Sequence, residues 1–376
     1  MTRSPFLIRL TALLRKEMRQ MLRDRSNLLV GLFLPVVLIL LFGYGLTFDV
    51  RDAPVALVME DNSAVARDAV AGISGSPYLV PRRTATMAEA EELLKSGKAD
   101  AIVRVPVDFA QRQAQGDGRI QLILNGTDST TATALEAYLN GAIGTALQHR
   151  ADRGEGGGQR GGTVTVAQRM WFNEAGISTW YLVPGLVVLI MTLVGAFLTS
   201  MLIAREWERG TLEALFVTPV RPLELVLAKI GPYVLIGLVD LALCILAARF
   251  LFDVPIRGSF FAILLTSLLY LLVSLLMGLF ISGGTRNQFA ASQLALLASF
   301  MPALMLSGFV FDLRNVPLIV QLVGQVVPAT HYMDVIKTLF LAGTDWGMVL
   351  QSSAILLGYA LLLLLLTWRT VRKRLD

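Results

Sequence analysis

Thiols and imidazoles are nearly missing from this 376-residue chain, which has one cysteine, Cys244, and two histidines, His149 and His331. An internal disulfide needs a pair of thiols and a structural zinc site needs a full set of Cys and His ligands, so neither can be built. Charge is also scarce. Only 16% of the residues are Asp, Glu, Lys or Arg, against roughly 25% in soluble domains, while 55% are hydrophobic. That composition excludes intrinsic disorder and a basic nucleic-acid binder. A phosphate-cradling G-x-x-x-x-G-K-[ST] loop is missing too: only Lys95-Ser96 and Lys337-Thr338 place a hydroxyl after lysine, and no glycine precedes either. No nucleophile, base and orienter can be assembled, so no catalytic or metal-ligating residue is assigned, and ATP-driven work would have to come from a second polypeptide.

What the chain has instead is long apolar runs. Six blocks, 27–48, 180–204, 230–252, 260–281, 290–311 and 347–368, are each long enough to cross a bilayer core, and five of them carry no charge. The pattern predicts a polytopic α-helical membrane protein with six transmembrane helices, and an α/β domain between helices 1 and 2. The first block exceeds the length of a signal-peptide core and no small-residue cleavage site follows it, so it is expected to remain. If the amino terminus is inside, 16 basic residues fall on the inner segments and three, Arg257, Arg314 and Lys337, on the opposite short loops. This asymmetry places both termini in the cytoplasm and residues 49–178 outside.

Residues 1–26 contain FLIRLTALLRKEMRQML, with Leu7, Leu10, Leu14, Met18 and Met21 at helical spacing. An amphipathic helix at the inner interface follows, either a plain anchor or a lever touching a cytoplasmic partner. Residues 49–178 read as water-soluble, with 13 basic and 16 acidic residues. Strands are expected at 55–59, 101–105 and 120–124. Thr86 and Glu89 form a capping box for one helix, which Gly97 ends. Leu135, Tyr138, Leu139, Ala142, Ile143 and Leu147 mark another. His149 lies near its end, where a solvated side chain is expected. The glycine-rich stretch 154–162 matches G-x-G-x-x-G in form, but a helix precedes it and no helix follows, so it reads as a linker. Asn125-Gly126-Thr127 reads equally as a turn or a glycosylation acceptor.

Between spans two and three, residues 205–222 form a charged segment. On one continuous helix Glu206, Arg209 and Glu213 would share a face, with Trp207, Thr211 and Leu215 on another, and Pro219 would end the helix. A solvated loop and a force-transmitting element are both compatible with this pattern. Asp240 sits ten residues into the third span, where it must face protein or water or be protonated; a structural polar contact and a place in a translocation path both fit. Arg249, nearer the end of the span, can snorkel. In the segment 312–346, the apolar run 318–327 is too short to cross and reads as re-entrant or interfacial. His331 is expected to make a structural hydrogen bond.

Glu206-Trp207-Glu208-Arg209-Gly210-Thr211-Leu212-Glu213, followed by Thr218-Pro219, Glu224, Lys229 and Pro232, resembles the signature loop of type-2 permease subunits of ATP-binding cassette exporters, in their bacterial multidrug-efflux-like branch. Val183-Pro184-Gly185, Met301-Pro302, Leu306-Ser307-Gly308-Phe309 and Val327-Pro328-Ala329-Thr330 extend the resemblance along the chain. It departs at Trp171-Phe172-Asn173-Glu174 and after Phe311. The resemblance implies that Glu206, Glu208, Arg209, Gly210, Thr211 and Glu213 contact an ATPase subunit. It further implies that ATP and Mg are bound by that partner rather than by this chain, that a second permease subunit completes a dimer, and that the work is export of a hydrophobic or amphiphilic solute from a bacterial inner membrane. Membrane lipids and a periplasmic adaptor protein complete the expected partners, and nucleic acid is not among them. The alternative is a membrane receptor or scaffold with an external sensing domain and no transport. A proton-driven carrier fits poorly, since no chain of carboxylates or histidines crosses several spans.

Overall fold

The computed structural model describes residues 5–45, 52–125, 129–152, 177–310, 313 and 316–371. The segment 154–162, the Gly126-Thr127 turn, the His149 side chain and the departures at 171–174 and just after Phe311 lie outside the described residues. The chain divides into two compact units, Thr47–Arg169 and a helical unit made of Met1–Leu46 with Met170–Asp376.

The helical unit opens with α1 (Pro5–Arg23) and α2 (Arg25–Gly45). In α1 the buried stripe is Leu13, Glu17 and Met21, an i, i+4, i+8 series. Leu10, Leu14 and Met18 flank it half-buried, whereas Leu7 is exposed. The protein-facing stripe is thus rotated from the one expected from apolar residues alone, because it is centred on an acid.

The second unit follows: β1 (Ala53–Met59), α3 (Ala64–Ser74), β2 (Leu79–Thr84), α4 (Met87–Lys95), β3 (Ala101–Val105), α5 (Phe109–Ala114), β4 (Gln121–Leu124) and α6 (Ser129–Asp152). The sheet order is β2-β1-β3-β4, with β4 antiparallel to β3 and the other pairs parallel. Val55, Leu57, Val103 and Val105 pack with α3, α5 and α6 on one face, while Ala56, Val58 and Ile102 pack with α4 on the other. Strands covered on both faces explain why β1 and β3 read as continuous apolar runs. Strand β2 was not expected from the sequence. It is an edge strand with exposed Arg82 and Arg83 and an internal Pro81, features confined to edges. The α4 cap forms at Thr86, whose hydroxyl accepts the Glu89 N–H; the Glu89 carboxylate accepts from the Ala85 N–H. Gly97 follows the helix at φ +69°.

The chain returns through α7 (Ser178–Ser200), α8 (Leu202–Glu208), α9 (Thr211–Phe216), α10 (Pro222–Phe250) and α11 (Phe260–Thr285). Then come α12 (Gln288–Ala295), a π-helical turn (Leu296–Phe300), α13 (Met301–Leu306), α14 (Leu318–Val326), α15 (Pro328–Leu341) and α16 (Trp346–Thr370). Six helical segments among the described residues are long and apolar enough to cross a membrane: Arg25–Gly45, Ser178–Glu208, Pro222–Phe250, Phe260–Thr285, Gln288–Leu306 and Trp346–Thr370. The third begins well before residue 230, bringing Glu224 and Lys229 into α10. Helix α7 is apolar all round and buried nearly all round, as the central helix of a bundle must be. It approaches α11 closely where Gly195 meets Ser274 and Gly278 meets the Ala196 carbonyl, and Thr199 Oγ1 donates to the Leu275 carbonyl at 2.9 Å. After α13, the short run forms α14 and continues into α15, whose Tyr332, Met333, Val335, Ile336, Leu339 and Phe340 are fully buried.

Candidate coupling site

The segment after α7 is not the single helix that its charge spacing suggested. α8 ends at Glu208, Gly210 adopts φ +67°, and α9 restarts at Thr211. A left-handed residue cannot continue an α-helix, and glycine takes that conformation without a Cβ clash. The break separates Glu206 and Arg209 from Glu213, and Glu206 is buried while Arg209 and Glu213 are exposed, so the three do not share one face.

Glu206 turns inward and is 4% exposed. Lys16 Nζ donates to Glu206 Oε1 at 3.0 Å, and the Lys229 ammonium lies 2.9 Å from Oε2, paired by charge although not aligned as a hydrogen bond. Glu17 completes the group, 2.9 Å from Lys16 and 3.5 Å from Lys229. Two lysines and two glutamates from α1, α8 and α10 thus neutralise one another; Glu17, Glu206 and Lys229 are buried, and Lys16 reaches in from the exposed rim. Such a cluster adds little net stability, but deleting one member leaves an uncompensated charge, at a cost of about 3–5 kcal/mol. Burial works against the Lys16 ammonium, yet Glu17 and Glu206 outweigh it and raise its pKa above the ordinary lysine value.

Four further contacts hold α8 and its neighbours. Arg9 makes a forked pair with Glu224 at 2.8–3.1 Å, and Glu224 also accepts the Arg221 N–H at the start of α10. Arg205 pairs with Asp24 and donates to Gln288 at 3.0 Å. Ser282 Oγ accepts the Ile203 and Ala204 N–H groups, both at 2.9 Å. The Arg286 guanidinium lies 4.5 Å over the Trp207 ring. Asp24 is partly desolvated, which opposes ionisation, but Arg205 and the Asn27 N–H hold its carboxyl below the usual aspartate range.

Beyond this base the tip is open. Glu208, Arg209, Gly210, Thr211 and Glu213 are exposed, and Leu212 is buried beneath them. Glu208 accepts the Gln288 backbone N–H at 2.9 Å, tying the start of the tip to α12. Sequence reasoning missed Lys16, Glu17 and Arg9 as partners, because they lie some 190–215 residues away from the groups they pair with. The available signal was Glu17, an acid within the apolar stripe of α1.

The sequence matches the family described as ABC-2 family transporter protein over residues 26–369. The chain belongs to this family. It is 38% identical over 370 residues to the probable multidrug ABC transporter permease YbhS of Escherichia coli, covering 98% of both chains. It is 27% identical to the probable multidrug ABC transporter permease YbhR, covering 92% of this chain and 93% of YbhR. The inner membrane transport permease YhhJ is 26% identical, with 89% of each chain covered. This chain is therefore the non-catalytic, membrane-spanning permease subunit of an ABC transporter.

The permease buries several hydroxyls that find partners. Tyr332 is hydrogen-bonded to Ser267 at 2.7 Å and stacks on Tyr270, whose hydroxyl meets Thr192. His331 Nε2 is 2.9 Å from the Gln325 carbonyl, the structural bond expected of it. Arg249 is exposed in the last turn of α10. Asp240 differs from all of these. It is 0% exposed and neither carboxylate oxygen has a hydrogen-bond partner.

Proposed function

We propose that this permease exports a hydrophobic or amphiphilic solute across a bacterial inner membrane, driven by a separate cassette ATPase docked on the tip at Glu208, Arg209, Gly210, Thr211 and Glu213. The observation that carries this reading is an exposed tip on a base pinned to four other helices, α1, α10, α11 and α12: a push on the tip is passed on rather than absorbed by a loose loop. Glu206 belongs to the coupling element as the internal anchor that ties α8 to α1 and α10. The multidrug names of YbhS and YbhR support the solute class, and the inner-membrane name of YhhJ supports the location. ATP and Mg bind to the partner ATPase. Both termini face the cytoplasm and the α/β unit faces outward, following the positive-inside imbalance. A second permease subunit completes the path, lipids surround it, and a periplasmic adaptor protein meets the external unit. Residues 312–346 form the re-entrant segment, and Asp240 lies on the translocation path.

Proteoliposomes containing the permease with or without a cassette ATPase test the reading. Transport should require the motor. Replacing Glu208, Arg209 and Glu213 with alanine together should cut solute-stimulated hydrolysis roughly tenfold, equivalent to about 1.4 kcal/mol of coupling, without loss of folded protein. Transport by the permease alone, or full coupling in the triple variant, contradicts it.

A further inference from the structure

Asp240 lies on α10 one turn before the residues that line an apolar groove. Helices α2 and α10 run side by side in the same direction: Gly31 lies against Ile236 and, farther along, Gly43 lies against the Phe252 ring. Pro35 and Asp240 each follow the first contact by four residues, about 6 Å of helix, so they share one level. From that level a cavity of about 340 Å³ extends between the two helices, walled by Pro35, Ile39, Leu243, Cys244 and Ala247. Its lining includes Phe250, which is 75% exposed. The volume lies within the roughly 300–1,000 Å³ of small-molecule sites.

The groove is apolar along its length, and acceptors lie one turn before its lining on both helices. Both Asp240 oxygens are buried and unbonded. Pro35 has no N–H to offer the Gly31 carbonyl one turn earlier, so that oxygen too lacks its usual helical donor. Cys244, one turn beyond Asp240 on the same face, brings only a weak donor. The nearest lysine on α10, Lys229, is eleven residues away, about 16 Å along the helix, and is committed to Glu17 and Glu206. Arg249 lies nine residues in the other direction, about 13 Å along the helix, and is exposed.

Acceptors without donors one turn from an apolar groove select a ligand with N–H groups at one end and hydrocarbon at the other. We infer that the α2–α10 groove binds a lipophilic ammonium ion, its N–H groups on Asp240 and its hydrocarbon along Ile39, Leu243 and Ala247, with entry sideways from the bilayer. A neutral lipid chain would fill the same walls and leave the carboxylate unpaired. This deepens the export reading, and rests on it only for the onward passage of the ligand.

The test uses the full-length permease in lipid nanodiscs without ATPase or nucleotide. It is photolabelled with a dodecylamine carrying a diazirine, and separately with the matching alcohol. Amine adducts should concentrate on peptides containing residues 35–40 and 243–251, with about a tenfold excess over the alcohol, and unlabelled dodecylamine should compete. Asp240→Asn should abolish the excess and Asp240→Glu should retain it. The wild-type comparison of amine with alcohol needs no variant to fold. Equal labelling by both probes, an unchanged preference in Asp240→Asn, or amine adducts spread over all lipid-facing helices each overturns the inference. Because no motor is present, failure here leaves the coupling reading intact, and failure of coupling leaves this binding intact.

Discussion

Glu206 and Asp240 are both buried acids of the helical unit, 4% and 0% exposed, yet Glu206 lies between two lysines and Asp240 has no hydrogen-bond partner at either oxygen. Both carboxylates lose the water that would stabilise their charge. For Glu206 the compensation is built in and permanent, drawn from two helices, α1 and α10, that it thereby fixes to α8. For Asp240 the compensation is left to whatever enters the groove. The first arrangement suits a part that must stay rigid while force passes through it; the second suits a part whose occupancy changes.

Removing Glu206 should therefore have the largest effect. Glu206→Ala leaves the cluster with two lysines facing Glu17 alone. The expected loss is toward the lower end of about 3–5 kcal/mol, because Glu17 remains 3.5 Å from Lys229. Thermal unfolding in detergent measures it, and the double variant Glu206→Ala with Lys229→Met should recover much of the loss. An unchanged midpoint in the single variant would show that Glu206 anchors nothing.

The Asp240 change should be smaller and opposite in sign. Asp240→Leu removes two buried unsatisfied oxygens, and leaving such groups unpaired costs about 1–3 kcal/mol. The ligand-free variant should thus unfold at a higher temperature than the wild type while export falls. A lower midpoint, or export at the wild-type rate, would mean that Asp240 is held by a permanent partner and that the two acids are alike.

The six spans and the soluble unit were legible because each rests on a local pattern: long uncharged runs for the helices, covered strands for β1 and β3, a capping box for α4. Strand β2 was not, since its edge position admits arginines and a proline that a central strand rejects. The coupling tip was legible as a charged segment, but its break was hidden. Gly210 could have marked a helix end, yet the flanking charges fit one continuous helix, and the αL conformation decides between them only once the backbone is placed. The clamp beneath the tip was hidden for a different reason. Arg9 with Glu224 and Lys16 with Glu206 join residues on separate helices, and periodicity carries no information about such pairs.

The smallest effects come from the rim of the clamp, where partly exposed charges can be titrated. Asp24 has its pKa lowered in the folded protein, so its contribution to stability is present above the ordinary aspartate value, about 3.9, and is lost as pH falls through the lowered folded value. Lys16 has its pKa raised, so its contribution is present below the ordinary lysine value, about 10.4, and is lost as pH rises through the raised one. Between the two ordinary values both contributions are complete, so the share of stability owed to Asp24 and Lys16 is flat. Asp24→Asn should lower the midpoint across that plateau, and the gap from wild type should close as acid protonates Asp24. A partly exposed pair of this kind contributes about 1 kcal/mol, less than the change expected for either buried acid. Asp61, in the other unit, is held below its usual range by the Ser63 and Ala110 N–H groups and also weakens in acid, so wild-type acid sensitivity alone does not report on the clamp. The decisive quantity is the difference between wild type and Asp24→Asn at each pH. A gap that stays constant down to pH values well below the ordinary aspartate range would mean that Asp24 acts through packing rather than charge.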